Sequence, residues 1–306
     1  MQIIAGTTQF HIEHETAVAI GKFDGIHVGH RRLLQEILDQ KQHGRSACVF
    51  TFDPPPSRFF GKNAEKELTT REEKRRLFEE LGVDILVEFP LNGETAATSP
   101  EDFVTEILHN RLHAAFVAAG VDLSFGAKGA GNAALLKSMA SALSMEVKII
   151  DKITLDGVEV SSTLVRSAVE QGQMQYVESL LGNPYSVRGI VQHGNRIGRS
   201  LFMPTVNLIP EEDKLLPKPG VYFSAVVLDG HTYKAISNVG LKPTVKEDKK
   251  VIGVESYLYD FDGDAYDKEI DVLFFEFRRE EKKFENLEAL KAQLAEDKAA
   301  GAGYRR

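Results

Sequence analysis

Residues 21–30 read Gly-Lys-Phe-Asp-Gly-Ile-His-Val-Gly-His, and this stretch is the strongest local signal in the chain. It follows an apolar, β-branched run at residues 16–20 and leads into a helical pattern at residues 31–40. Its glycines allow a tight turn and a close approach of the backbone to a ligand. His27 and His30 then lie at the helix start, where free N–H groups and the helix dipole favour an anion. The stretch therefore predicts a strand, a phosphate-binding loop and a helix in succession.

Strand and helix signals continue to alternate up to about residue 180. Further strand signals lie at residues 47–52, 84–89, 114–119 and 146–150, and helix signals at residues 71–81, 100–112 and 132–143. The helix at 100–112 has a typical start, with Ser99 as N-cap and Pro100 in the first turn. Such alternation predicts an α/β fold with a parallel sheet.

Beyond Gly182 the pattern changes to consecutive strands. Strand signals lie at residues 185–192, 221–228, 232–238, 252–259 and 269–277, and a helical pattern at 287–299 closes the chain. Strands without intervening helices predict an antiparallel sheet or a small barrel. Because the segment 180–184 (LLGNP) separates the two patterns, we expect domains at residues 1–183 and 184–306.

Composition excludes several classes of protein. The 306 residues carry a net charge of −8, which disfavours a nucleic-acid-coating role because phosphate neutralisation needs a basic face. A single cysteine excludes an intrachain disulfide and a multi-cysteine zinc site, and Cys48 in the apolar SACVFTF is expected in a buried strand. The sequence has no apolar run long enough to span a membrane and no signal-peptide pattern, so we expect a cytoplasmic location.

A second polar segment in the first half, residues 161–166 (SSTLVR), opens a helical pattern. Ser162 and Thr163 can cap the helix or bind phosphate, and the guanidinium of Arg166 can bind a phosphate with two donors. Taken alone, an ordinary capped helix with a surface arginine explains the segment equally well.

The second half has its own phosphate-binding pattern in residues 189–199 (GIVQHGNRIGR), followed by Pro204, Thr205 and Asn207. Spaced glycines allow a loop whose N–H groups surround phosphates. Thr205 and Asn207 point the same way in an extended segment, and their hydroxyl and amide oxygens suit Mg²⁺. A hairpin loop with polar residues is the alternative interpretation.

Together, GKFDGIHVGH and SSTLVR resemble the HxGH nucleotidyltransferases, and the longer first motif is similar to their flavin adenylyltransferase branch. The resemblance implies a Rossmann-like domain in which three residues act catalytically: His27, His30 and Arg166. It implies ATP contacts for Phe23, Asp24, Gly25, Gly29, Ser162 and Thr163, and flavin contacts for Asp122 and Phe125 in residues 120–126 (GVDLSFG). The chain departs from the family pattern at Pro55, Leu123, Gly129 and Asn132.

Residues 194–207 (GNRIGRSLFMPTVN) resemble the signature GxxxGRxLGFPTAN of riboflavin kinases, with Phe202 and Met203 as departures. PGVY at 219–222, NVGLKPT at 238–244 and VES at 254–256 follow in the order of that family. The resemblance implies a six-stranded antiparallel β-barrel with a terminal helix. The roles that it implies are ATP binding by Gly194, Arg196, Gly198 and Pro204, Mg²⁺ binding by Thr205 and Asn207, Glu255 as catalytic base, and Arg279 toward the flavin.

The order of the two modules resembles the bacterial bifunctional riboflavin kinase/FAD synthetase family. We therefore expect the chain to phosphorylate riboflavin to FMN with ATP and then to adenylylate FMN to FAD. The expected partners are small molecules (riboflavin, FMN and ATP, with Mg²⁺), without nucleic acid or membrane, and the chain is expected as a monomer or weak homo-oligomer. Two alternatives stay open: a riboflavin kinase with weakened or lost adenylyltransferase activity, and a non-catalytic flavin-binding regulator.

Overall fold

The computed structural model describes residues 1–61, 65–192, 205–243 and 250–306, with side chains at 242–243 and 250–251 left aside. The chain divides into two compact units, Met1–Ser162 and Thr163–Arg306. Residues 163–183, which the sequence places in the first domain, pack within the second unit, where the Lys218 N–H donates to the Val169 carbonyl. The functional boundary at 183/184 stays a prediction.

The first unit alternates strands and helices. In chain order its elements are β1 (Gln2–Ala5), β2 (Thr16–Ile20), α1 (Val28–Asp39), β3 (Ser46–Asp53), α2 (Pro56–Phe60), α3 (Arg71–Glu80), β4 (Ile85–Pro90), α4 (Pro100–Asp102, continued as a π-helix over Phe103–Arg111), β5 (Ala114–Gly120), β6 (Ser124–Phe125), β7 (Gly131–Asn132), α5 (Ala133–Ala142), β8 (Glu146–Ile150), β9 (Thr154–Leu155) and β10 (Val158–Glu159). Short 3₁₀ turns lie at Gln40–His43, Thr95–Ala97 and Ala127–Gly129.

Six of these strands form one parallel sheet in the order β1-β4-β3-β2-β5-β8. The α/β class with a parallel sheet is thus confirmed. Side chains alternate between the two faces of the sheet, so that Val18 and Ile20 of β2 pack into one core and Ala17 and Ala19 into the other. Cys48 lies in the first of these cores, and burial raises the pKa of its thiol.

In its described residues, the second unit has two helices, six strands and a terminal helix. Its elements are α6 (Ser162–Glu170, which begins at the last residue of the first unit), α7 (Met174–Leu181), β11 (Tyr185–Gln192), β12 (Thr205–Leu208), β13 (Gly220–Leu228), β14 (His231–Pro243), β15 (Lys250–Leu258), β16 (Glu269–Arg279) and α8 (Leu287–Gly303). The strands close into an antiparallel barrel in the order β11-β12-β15-β14-β13-β16, which confirms the predicted six-stranded barrel and its terminal helix.

Successive residues of the barrel strands point alternately inward and outward. Inside the barrel, the buried hydroxyls of Ser224, Ser237 and Ser256 form a serine row across β13, β14 and β15, with Oγ–Oγ distances of 2.8 Å and 2.7 Å. On the outside, Ile236 packs in an apolar cluster with Leu294 of α8. Because Glu255 neighbours Ser256, its side chain lies on the outer face. No helix among the described residues is long and apolar enough to cross a membrane.

Candidate active sites

The sheet of the first unit has a point at which the direction of chain progression reverses. From β2 the chain proceeds through β3 and β4 on one side, and later through β5 and β8 on the other. In open α/β sheets, ligands bind beyond the carboxyl ends of the strands at such a point. The predicted motif starts at Gly21, directly after β2, and Asp122 follows the end of β5. Topology therefore brings both to the same edge of the sheet.

The loop between β2 and α1 has an unusual backbone. Phe23, Gly25 and Ile26 have φ values of +52°, +84° and +41°, a region that only glycine adopts without cost. Phe23 and Ile26 are fully buried in the core beneath α1, and this burial holds their strained backbone in place.

Four hydrogen bonds hold the same loop in place. The Asp24 carboxylate accepts hydrogen bonds from the backbone N–H groups of Leu68 (2.8 Å) and Thr69 (3.3 Å), and Thr69 Oγ1 accepts from the Gly25 N–H (3.2 Å). Ser162 Oγ donates to the Asp24 carbonyl oxygen at 2.8 Å, so Ser162 contacts the first motif. The structure therefore gives Asp24 a role in holding the loop, and its contact with ATP stays a prediction.

His27 and His30 lie at the N-terminus of α1, as predicted. His27 is the N-cap, its Nδ1 accepts a hydrogen bond from the His30 N–H at 3.3 Å, and the two rings stack with their centroids 3.7 Å apart. Gly29 makes this stacking possible, because a Cβ there would lie 3.1 Å from the His27 ring. With Nδ1 as an acceptor, the proton of neutral His27 is on Nε2.

Both imidazoles are uncharged at neutral pH in this environment. Burial lowers the pKa of His27 to about 4, against the opposing effect of the Asp122 carboxylate. Burial, with the nearby His27 and Lys74, also holds the pKa of His30 well below its usual range. Within the described part of the chain, His30 Nδ1 is buried without a hydrogen-bond partner. Neutral imidazoles at a helix N-terminus can donate N–H hydrogen bonds to an anion.

The two residues of the loop after β5 that are predicted to contact flavin, Asp122 and Phe125, differ in exposure. Asp122 is exposed and lies 3.5 Å from Lys152 in an ion pair. The Phe125 ring is only 3% exposed and packs against Phe103, with ring centroids 5.2 Å apart. Its predicted flavin contact is therefore not visible in this structure and stays a prediction.

The departures of the first unit from its family pattern each have a structural role. Asn132 caps α5, accepting from the N–H groups of Ala134 and Leu135 at 3.0 Å. Gly129 has φ +67°, which favours glycine. Pro55 is the residue before α2, and Leu123 packs against the core of the sheet.

Thr163 and Arg166 lie on α6, which is described here within the second unit. Their ATP roles stay predictions. Four further residues predicted to bind ATP, Gly194, Arg196, Gly198 and Pro204, lie outside the described residues, as do Phe202 and Met203.

In the second unit, Thr205, Asn207 and Glu255 come together on neighbouring strands. Asn207 of β12 lies directly opposite Glu255 of β15, and Thr205 Oγ1 donates to Glu255 Oε1 at 2.5 Å. All three side chains are half-buried on the outer face of the barrel. The fold therefore brings a carboxylate, a hydroxyl and an amide together on two neighbouring strands.

This donor set suits a hard divalent cation. Hydroxyl, amide and carboxylate oxygens are the ligands that Mg²⁺ takes from proteins, and it usually accepts only one or two of them beside water and phosphate. A Thr205 hydroxyl that donates its proton to Glu255 keeps lone pairs for a cation. Elsewhere among the described residues, no group of three or more His, Cys, Asp or Glu side chains could hold a metal ion.

Arg279, predicted to approach the flavin, is bound to α8. Its Nε donates to both carboxylate oxygens of Asp297 at 3.0 Å and 3.1 Å, and Arg278 Nε donates to the same carboxylate at 2.9 Å. Asp297 is only 2% exposed, and although burial opposes it, hydrogen bonds from the two arginines lower the pKa of this carboxyl. No sequence motif points to Asp297, which lies 18 residues after Arg279 in a helix of ordinary composition.

Comparisons with known proteins cover both halves of the chain. The FAD synthetase family model matches residues 9–164, and the riboflavin kinase family model matches residues 181–303. A bifunctional riboflavin kinase/FMN adenylyltransferase from Listeria monocytogenes is 35% identical over 95% of this chain and 93% of its own length. Relatives of the same name are 34% identical in Pseudomonas fluorescens (98% and 96% covered) and 33% identical in Escherichia coli (92% and 90% covered).

Among the solved structures that match this chain is one that covers almost its whole length. A Streptococcus pneumoniae protein described as a macrolide-efflux protein is 27% identical, with a TM-score of 0.87 and 99% of both chains covered. The likeness extends the agreement in fold to both units.

Proposed function

The chain belongs to the bifunctional riboflavin kinase/FMN adenylyltransferase family, and from this premise we propose which residues perform its two reactions. It is a transferase of FAD biosynthesis, which phosphorylates riboflavin to FMN and adenylylates FMN to FAD, with ATP as the second substrate of both reactions. One observation supports the division of work: two stacked histidines stand at a helix N-terminus in one unit, and a Thr–Asn–Glu group stands on a barrel in the other.

We assign FMN adenylylation to the loop 21–30. An oxygen of the FMN phosphate attacks the α-phosphorus of ATP. The bond between the α-phosphorus and the oxygen that bridges it to the β-phosphorus breaks, and pyrophosphate leaves. The nucleophile is already an anion, so the reaction needs positioning and charge stabilisation rather than a base. The N–H groups of His27, His30 and the α1 N-terminus donate to the phosphate oxygens, and the buried, unpartnered His30 Nδ1 supports this assignment. The ATP and charge-stabilising roles of Ser162, Thr163 and Arg166 rest on the SSTLVR pattern.

We assign riboflavin phosphorylation to Glu255. Its carboxylate accepts the proton of the riboflavin 5′-hydroxyl while the hydroxyl oxygen attacks the γ-phosphorus of ATP and ADP leaves. The hydrogen bond from Thr205 orients that carboxylate. Thr205 and Asn207 would hold Mg²⁺, which would neutralise phosphate charge when bound.

Two single variants test these assignments in the full chain. Purified protein is incubated with riboflavin, ATP and Mg²⁺, or with FMN, ATP and Mg²⁺, and the flavins are separated by chromatography. His27→Ala should form FMN from riboflavin but little FAD, and Glu255→Gln should form FAD from supplied FMN but little FMN from riboflavin. If either folded variant lost both activities, the two-site assignment would be wrong.

The same assay decides between the full function and the narrower alternative. A riboflavin kinase without adenylyl transfer would stop at FMN in the wild-type protein. Gly129 and Asn132 have structural roles in the loop after β5, and the relatives that match nearly the whole chain carry the names of both activities, which favours both reactions. A regulator that binds flavin without turnover would form neither product.

We propose a cytoplasmic location and a monomer or weak homo-oligomer, in line with small-molecule substrates and the acidic net charge of −8. Light scattering at two protein concentrations tests the oligomeric state. A mass that stays at several times 33.9 kDa on dilution would contradict it.

A further inference from the structure

The N-terminus of helix α3 is fastened to the loop that carries the two histidines. Thr69, two residues before α3, accepts a hydrogen bond from the Gly25 N–H and donates its own N–H to the Asp24 carboxylate. Thr70 is the N-cap of α3, and its capping box fixes the first turn of the helix. The first turn of α3 therefore has a defined position beside the loop 21–30.

One face of α3 is turned toward His30. Phe78 of α3 is fully buried, and its ring packs against the Phe23 ring with the centroids 5.4 Å apart. The Phe23 ring in turn packs against His30 at 5.2 Å. Lys74 lies one turn before Phe78, and side chains four residues apart share one face of a helix. Lys74 is therefore on the face of α3 that looks toward the histidines, and its side chain is only 12% exposed.

The charge of Lys74 acts on the histidine pair. Burial and His27 are the larger causes of the low pKa of His30, and the Lys74 ammonium lowers that pKa further. Because the effect of a charge weakens with distance, this contribution agrees with an ammonium that lies close to the two imidazoles.

The acidic partner of Lys74 holds the ammonium loosely. Lys74 Nζ lies 3.9 Å from Glu67 Oε2, which is longer than a hydrogen bond. The Glu67 carboxylate also lies 3.5 Å from Nη2 of Arg58, so that it is shared between two cations. Burying an ammonium is costly unless an anion compensates it closely. An anionic ligand beside His30 would provide that compensation.

Adenylyl transfer needs positive charge where pyrophosphate leaves. When the bond between the α-phosphorus and the bridging oxygen breaks, its electron pair stays on the pyrophosphate, which becomes more negative. His27 and His30 are uncharged at neutral pH, so they can donate hydrogen bonds to phosphate but add no full positive charge. A charged donor held in a buried site stabilises such an anion more strongly than a neutral donor.

We propose that Lys74 is a catalytic residue of adenylyl transfer, whose ammonium binds the β- and γ-phosphates of ATP and stabilises the pyrophosphate as it leaves. The ammonium donates hydrogen bonds to the phosphate oxygens and keeps its proton, so the step balances without a further group. The proposal rests on the assignment of FMN adenylylation to the loop 21–30 under the proposed function.

Steady-state kinetics in both directions test this role in the full chain. FAD formation is measured with FMN, ATP and Mg²⁺, and the reverse reaction with FAD, pyrophosphate and Mg²⁺, and the flavins are separated by chromatography. Lys74→Met should lower the kcat of FAD formation about 100-fold, the order found when one charge-stabilising donor is removed. In the reverse reaction it should raise the KM for pyrophosphate about tenfold, the effect of a lost hydrogen bond to a charged group, and leave the KM for FAD unchanged.

Two further variants separate the role of the charge from that of the helix. Lys74→Arg keeps the positive charge and should recover most of the affinity for pyrophosphate. Arg76→Met is the matched control, because Arg76 lies on the same helix, pairs with Glu80 at 2.6 Å and is 43% exposed. It should keep the wild-type kcat and both KM values. Riboflavin phosphorylation should stay unchanged in all three variants.

The proposal is overturned if a folded Lys74→Met protein keeps its kcat of FAD formation or its KM for pyrophosphate, or if Lys74→Arg and Lys74→Met raise that KM equally. If Lys74→Met does not fold, Lys74→Gln, which keeps a polar end without the charge, is measured against the same criteria. Failure of the underlying assignment has a different signature, namely an undiminished rate of FAD formation in His27→Ala.

Discussion

Replacing Gly29 with alanine should lower adenylyl transfer without lowering stability. Gly29 is the second residue of α1 and lies beneath the His27 ring. An added Cβ would be 3.1 Å from both His27 Nδ1 and Cε1, closer than ordinary van der Waals contact. The ring cannot yield freely, since it stacks on His30 at 3.7 Å and accepts the His30 N–H.

The size of the effect follows from that distance. To reach normal contact, the His27 ring must move by roughly 0.3–0.5 Å, and displacements of about 1 Å in a catalytic site can cost ~100-fold in rate. We therefore expect FAD formation from FMN to fall about tenfold in kcat/KM. Alanine in a helix is more stable than glycine by about 0.5–1 kcal/mol, which offsets the crowding, so the midpoint of thermal unfolding should stay level or rise.

The measurement combines three readouts on one variant: FAD formation from supplied FMN, FMN formation from riboflavin, and thermal unfolding. Gly93→Ala is the matched control, because a Cβ at that loop position would have no atom within 4 Å. Full adenylyl transfer in a well-folded Gly29→Ala protein would contradict this expectation, as would equal loss of both activities.

Two further predictions concern stability. The free energy of unfolding of the first unit should fall by about 3 kcal/mol between pH 6.5 and pH 4. The pKa of His27 in the folded protein is about 4, whereas that of an unfolded histidine is near 6.5. As the pH falls, the unfolded chain therefore binds the proton first and is stabilised relative to the folded chain. Urea unfolding at both pH values should show this fall in the wild type and a smaller one in His27→Gln; equal falls would contradict it. Asp297→Ala should destabilise the second unit by about 3 kcal/mol, because Arg278 and Arg279 would lose the buried carboxylate that they bind. The control is Glu296→Ala, which removes a side chain that is 69% exposed and should change the free energy of unfolding by less than about 0.5 kcal/mol. A similar loss in both variants would count against this prediction.

Much of the fold could be predicted from local pattern, because buried strands have apolar runs that end at turn residues. The predicted strands at 16–20, 146–150 and 185–192 have the bounds of β2, β8 and β11. β1 was missed because it is a four-residue edge strand, half of it exposed, that depends on pairing with β4. β14 runs five residues beyond the predicted 238, through Gly240 and Lys242, whose types weaken the strand pattern.

The candidate sites were predictable where their residues are neighbours in sequence. His27 and His30 lie one helical turn apart, so the motif itself places them together at the start of α1. The backbone donors to Asp24 are 44 and 45 residues away, so that only the tertiary fold brings these partners together. Phe125 carries a family role in sequence, yet its ring packs inward against Phe103.

The serine row inside the barrel has a consequence for how the barrel assembles. Ser237 lies opposite Ser256, and a slip of one residue between β14 and β15 would set it against Glu255 or Tyr257 instead. Such a slip would exchange the two faces of β15 and turn the Glu255 carboxylate toward the barrel axis. Serine hydroxyl groups in the apolar interior would then lose their hydrogen-bond partners. The serine row therefore favours the observed register of β14 and β15, and this register keeps Glu255 on the outer face of the barrel.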